Sequence, residues 1–425
     1  MHPSPRRRAL ALLPLLLSLP LGTLLGTPLA YAGAPDAGPA RAVDRPITYA
    51  AWDTTAELAT GKARGVTTTG DQVALSTPAP KRLTVGSTRY EAGRWRSPWT
   101  DSGFAFSELI ASWDATTTMR SFVDIEVRGR SAAGTRSSWD TLARWASADR
   151  RVKRTTYSGQ ADDLASVSVD TWKAAGAGLT RWQLRVTLAR KAGTSAPVAV
   201  DSLGAMTSRV PSAAGPTSAP GAATGITLDV PAYSQMTHRG HFPQWGAGGE
   251  AWCSPTATSM VLGYYDALPP ATSYPWVPAG HGDPWVDAAA RATYDHGYDG
   301  TGNWPFTTAY AAARTGSAFV TRLRSLAEAE QFIAAGIPLV ASVAFKSGEL
   351  SGAPISSSAG HLLVIAGFTA SGDVVVNDPA APTNATVRRT YSRAELERVW
   401  LGASGGVVYV VHDAAHSLPT STGNW

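Results

Sequence analysis

Fifteen consecutive residues, Pro211 to Gly225 (PSAAGPTSAPGAATG), carry neither a charge nor a bulky apolar side chain. Such a stretch cannot bury enough surface to fold by itself, so residues 211–225 read as a flexible linker that cuts the chain into two bodies. The charge follows the cut. Residues 33–224 hold 24 Lys/Arg against 17 Asp/Glu, a net of +7, whereas residues 225–425 hold 10 against 15, a net of −5. With 425 residues in all, each body is long enough to enclose a core of its own.

Ahead of both bodies, Arg6, Arg7 and Arg8 precede an uncharged, leucine-rich stretch that runs to Pro35 and includes Ala30-Tyr31-Ala32. Residues 1–32 read as an export signal cleaved after Ala32, which places the mature protein outside the cytoplasm, secreted or extracytoplasmic. The paired arginines leave both the general secretory and the twin-arginine routes open. No later apolar run approaches the roughly 20 residues of a membrane span, so no stable span is expected after signal removal.

Between residues 40 and 210 the sequence alternates. SFVDIEVRGRS and TRWQLRVTLARK place apolar residues at every second position, at Ile125, Val127, Trp182, Leu184, Val186 and Leu188. Period two over such runs means strands with one buried face, and the turn residues between them predict an all-β sandwich or jelly-roll-like domain. Eight tryptophans fall here: Trp52, Trp95, Trp99, Trp113, Trp139, Trp145, Trp172 and Trp182. Core rings are the ordinary reading, above all for Trp182; exposed rings would stack on sugars and make this domain a module for cell-wall polysaccharide. The run Arg150, Arg151, Lys153, Arg154 reads as a solvated hairpin edge. No nucleic-acid-binding signature accompanies the charge, so no nucleic-acid partner is expected.

Residues 226–415 carry the chemistry, and 416–425 read as a tail. Cys253 is the sole cysteine, so no intramolecular disulfide forms. It precedes SPTATSMVLGYYDAL, whose apolar residues repeat at helical spacing, with Ser254 and Pro255 suited to the cap and first helical position. A thiol at a helix amino terminus meets the positive end of the dipole and unpaired N–H groups, which favour the thiolate and would also meet an oxyanion. A nucleophilic thiol needs a base, and the base an orienting partner. SAGHLLVIAGFTASGDVVVNDPAA supplies both in one hairpin: pairing Phe368 with Asp373 puts Asp378 opposite Leu363, on the face His361 shares and one diagonal step away.

YSQ at Tyr233 to Gln235, CSPTATSMVLGYY, AAGIPLVASV, GHLLVIAGF and VVVNDP together resemble cysteine-peptidase family thirty-nine, the bacteriocin-processing type with a papain-like fold. The likeness covers roughly residues 228–412 and does not touch residues 33–210. It implies Cys253 as nucleophile, His361 as general base and then acid, Asp378 holding the imidazole, and Gln235 in the oxyanion hole. Gln235 lies 18 residues before Cys253 with THRGHFPQWGAGGEA between, and Gln244, nine residues before, is a rival donor. Capping-box patterns at Ser325/Glu328 and Ser392/Glu395, with PLVASVAF and VVYVV as buried strands, complete an α+β papain-like body of two lobes, helix on one side and sheet on the other. Tyr274 to Asn303 reads as an insertion lining the cleft.

No cofactor is expected. His238, His241, His281 and His296 stand on loops at unremarkable spacing, without H-E-x-x-H or a cysteine pair, so no metal is expected either. The expected function is a secreted cysteine peptidase acting on peptide or protein substrates. The same triad would serve a cell-wall peptide amidase or acyltransferase, and an inactive version would be a secreted polymer-binding protein.

Overall fold

The computed structural model describes residues 44–79 and 81–425; the expected export signal lies outside them. Within the first body the alternating runs become strands. Along Ser121–Arg130, Val123, Ile125 and Val127 are buried while Asp124, Glu126 and Arg128 point to the other face. The strands form two antiparallel sheets, one built around Glu108–Thr116 and Ala199–Ser208, the other around Ser121–Arg130 and Leu179–Lys191. Neither sheet closes on itself. Their inner faces meet where Trp52 of one sheet packs edge-on to Trp95 and Trp182 of the other, with ring centroids 5.6 and 5.7 Å apart.

Six of the eight tryptophans are core residues. Trp99 and Trp139 are half-buried, and guanidinium groups cover them: Arg130 lies 4.7 Å from the ring of Trp99, and Arg185 4.2 Å from that of Trp139. The aromatic content therefore serves packing first.

The second body is a six-stranded antiparallel sheet in the order Ser317–Arg322, Val407–His412, Leu339–Phe345, Ser358–Phe368, Val374–Asn377, Arg388–Tyr391. Period two again decides the layers. Val340, Leu362, Val364 and Tyr409 face the helices Cys253–Tyr264 and Trp304–Thr315, while Leu339, Leu363, Ile365 and Val410 face Leu326–Ala334 and Arg393–Ala403. Helices thus cover both sides of the sheet, among them those expected after Ser325 and Ser392. Both faces need burial because these strands are apolar at nearly every position. The Ser325 box does not form: Glu328 turns instead to the Arg324 N–H at 2.8 Å.

Residues 211–225 also differ from expectation. They are strapped to the second body by its charges: Glu397 accepts from Ser218, Glu330 accepts from the N–H groups of Gly221 (2.7 Å) and Ala223 (3.0 Å), and Arg393 donates to Ala219 O (2.9 Å). A segment without charge of its own is ordered by charges 100 residues and more away. The tail behaves alike. Asn424 donates to Arg322 O at 2.9 Å, and Gly423 O accepts from the Tyr49 N–H of the first body at 2.8 Å.

The two bodies share one apolar core. Phe306, fully buried, lies 6.1 Å from Trp113 and 5.4 Å from Trp145. Arg154, expected at a solvated edge, is 1% exposed and donates across the boundary to Tyr294 O and Arg291 O. Arg322 pairs with Glu108 at 2.6 Å. Phe306→Ala is accordingly expected to cost about 3–5 kcal/mol, read as a lower midpoint of one calorimetric transition for both bodies. Two transitions, with only the second body's lowered, would contradict a shared core.

Candidate active site

Cys253 is the first residue of the helix Cys253–Tyr264, which starts two positions earlier than the sequence suggests. Ser254 is not a cap. It is buried, with its hydroxyl 3.0 Å from the Tyr409 hydroxyl and 3.2 Å from that of Thr307. No side chain caps the helix, and Pro255 has no N–H to offer, so the Ser254 N–H is left to turn to the Cys253 sulfur.

The hairpin brings His361 to that sulfur by an irregular route. Next to the turn, Phe368 pairs with Val374, one residue off the expected partner. A bulge at Ala366 absorbs the difference, so that Val364 pairs with Asn377 and Asp378 lies beyond it opposite Leu363, where it was expected. His361 and Asp378 share a face for that reason, and His361 Nε2 lies 2.8 Å from Asp378 Oδ1. With Nε2 engaged, Nδ1 is the nitrogen left for Cys253, and the His361 side chain is hydrogen-bonded to the thiol.

His361 is buried and Cys253 half-buried, and each shifts the other's proton affinity. Burial pushes the Cys253 thiol up, but the His361 hydrogen bond and charge, with the N–H groups of Leu362 and Ser254, outweigh it and hold the thiol below its ordinary value. Burial pulls His361 down; the Asp378 charge and hydrogen bond, with Cys253, raise it to about 10. Asp378 is fully buried and would be raised by that alone. The imidazolium, the Tyr391 hydroxyl donating at 2.6 Å and the Ala380 N–H at 3.0 Å instead keep it below the usual carboxylate range. The shifts favour the charged form of each group: thiolate, imidazolium and carboxylate.

Cys253 lies half-buried at the wall of a cleft of about 570 Å³. Tyr298 to Gly302 line it, as expected of the insertion, and Ser342 to Ala344 form part of the opposite side. The first body contributes too: the hairpin of Ala165–Ser168 and Thr171–Ala174 brings Asp170 and Lys173 into the cleft. Gln235 is buried beside the site, its N–H donating to Pro379 O at 2.9 Å and its Nε2 to Glu250 O, three residues before Cys253. Gln244 is exposed. Reasoning from sequence missed Tyr391, 13 residues after the Asp378 it bonds, and the sandwich hairpin, since no pattern in RRTYS or SVDTWK points to either contact. It also missed that His238, His241 and His281 converge on Asp287; His296 stands apart, its ring 4.7 Å from that of Tyr294.

Family comparison matches both bodies. A family described as Peptidase C39 N-terminal domain covers residues 48–208, and one described as Peptidase_C39 like family covers residues 227–408. The likeness expected over 228–412 thus has a companion in the first body, where none was expected. No curated protein gives a match to the chain.

Proposed function

From the premise that residues 227–408 form a C39 peptidase-like domain, we propose that this chain is a cysteine peptidase in which Cys253, His361 and Asp378 hydrolyse peptide bonds. The observation that carries the reading is the hydrogen-bonded series Cys253, His361, Asp378 at the head of an uncapped helix beside a cleft. The thiolate attacks the carbonyl carbon, and the negative charge that develops on oxygen meets the Cys253 N–H at the start of the helix. His361 gives its proton to the leaving amine nitrogen. It then takes a proton from water, whose oxygen attacks the thioester carbon, releasing the acid and restoring the thiolate beside the imidazolium. Gln235 serves the same oxyanion from beside the helix start, once its amide lets go of Glu250 O.

Export after Ala32 would put this reaction outside the cytoplasm, on peptide or protein substrates, with the free edges of Trp99 and Trp139 as the remaining aromatic surface for a polymer. The deciding experiment is cleavage of a peptide library by the wild type and by Cys253→Ala. Loss of all cleavage is expected, and equal cleavage by both chains refutes the proposal.

The paired shifts also define a pH profile. Reaction of Cys253 with iodoacetamide is expected to stay fast into mild acid, while hydrolysis falls as pH approaches about 10, where His361 loses the proton it must donate. Stability follows the same groups. The raised His361 contributes fully below pH 6.5, its unfolded value, and its contribution is lost as pH rises through about 10. The lowered Asp378 contributes above about 3.8, and that part is lost as pH falls. Thiol reactivity that rises only near the ordinary thiol range of about 8.5 would contradict the ion pair.

A further inference from the structure

Asp287, in the first turn of the helix Pro284–Thr293, is fully buried, and among the described residues its ionic partners are three imidazoles. His238 Nδ1 lies 3.1 Å from Oδ2, His241 Nδ1 2.9 Å from Oδ1, and His281 Nδ1 3.4 Å from Oδ1. The ligand atoms of His238, His241 and Asp287 all fall within 4.8 Å of one another. A carboxylate taken out of water with no arginine or lysine beside it demands another positive charge.

We propose that His238, His241, His281 and Asp287 form a structural site for a divalent transition-metal ion of the zinc class. Ligands at about 2.0–2.2 Å from a tetrahedral zinc stand about 3.3 Å from one another, and the three nitrogen–oxygen separations bracket that spacing. Imidazole nitrogens with one carboxylate oxygen suit zinc better than calcium or magnesium, which take oxygen. Four protein ligands and full burial of two of them make the site closed, and therefore structural rather than catalytic. His281, whose ring stacks on that of His241 at 3.5 Å, tilts to complete it; its side chain is 21% exposed and has room to turn.

The ion's place in the fold says what it holds. His238 ends the 3-10 turn that Gln235 begins, and the backbone of His238 passes so close to Gly249 that a side chain there would overlap it. The segment from Gln235 to Trp252 contains only short turns, yet it leads directly into Cys253. A metal would pin that segment to the helix Pro284–Thr293 and so hold one approach to the thiol.

The thiol and His361 are themselves ligands for zinc, so the test uses the full chain with Cys253→Ala. After chelator treatment and dialysis it is titrated with ZnCl2, and separately with CoCl2 as a spectroscopic substitute. One zinc per chain, a raised melting temperature and the strong visible absorption of tetrahedral cobalt are expected, with zinc affinity falling at least about 100-fold in His241→Gln. A chain that binds no stoichiometric zinc, or binds it equally well with His241→Gln and His281→Gln, overturns the proposal. Should either variant fail to fold, the cobalt spectrum of the parent chain decides alone: absence of the tetrahedral bands overturns the site.

Discussion

Replacing His361 with alanine is expected to lower peptide hydrolysis by about 10⁶-fold, the loss seen when one member of a nucleophile–base unit is removed. The size of the effect comes from two functions lost together. His361 lowers the proton affinity of the neighbouring thiol against the effect of burial, and in the proposed mechanism it carries the proton to the leaving amine. The two separate experimentally. Alkylation of Cys253 at neutral pH reads only the first, so it should slow towards the rate of an ordinary buried thiol while the chain keeps its circular dichroism. A variant that still alkylates at the wild-type rate would show that the sulfur is activated by the helix terminus alone, and His361 would then be reduced to a proton carrier.

A loss of stability as large as that of Phe306→Ala is expected from Glu330→Gln, about 3–5 kcal/mol. Glu330 is fully buried, approached at 2.7 Å by Arg393 Nη1 and accepting two N–H bonds from the strap at Gly221 and Ala223. Glutamine keeps the shape and removes the charge, which leaves the Arg393 guanidinium, 6% exposed, without its counter-charge. The urea midpoint should fall by the corresponding amount, and limited proteolysis should begin within 218–223. Combining Glu330→Gln with Arg393→Met should restore part of the loss, because removing both charges is far cheaper than removing one. A single variant as stable as wild type would mean that the strap contributes nothing.

These effects lie at different distances from what the sequence shows. The sandwich was legible because Val123, Ile125 and Val127 alternate with charged neighbours, and a buried face is the simplest cause of that pattern. Cys253, His361 and Asp378 were legible because a helix start and a hairpin are local structures whose geometry follows from a few residues. Even there Ser254 was misplaced: its hydroxyl pairs with Tyr409, 155 residues on, and local propensity is silent about such partners. The strap failed for the same reason. A stretch of Pro, Ala, Gly and Ser reads as flexible until Glu330, Arg393 and Glu397 are known to lie alongside it. The histidines around Asp287 were set aside on spacing, which measures ligand sets carried by one helix or one turn and not those gathered from a 3-10 turn, a loop and a helix.

The hairpin bulge has an evolutionary consequence. Loss of a single codon, that for Ala366, would regularise the ladder and leave nearly every hydrophobic contact of the strand available. Counted from the turn, Asp378 would still fall opposite Leu363, because the lost residue is the one that this ladder leaves unpaired, and the imidazole and carboxylate would keep one face of the ribbon. A homologue lacking that residue would therefore keep the acid–base partner of its sulfur, so the strand can lose one codon at the bulge without turning the pair apart.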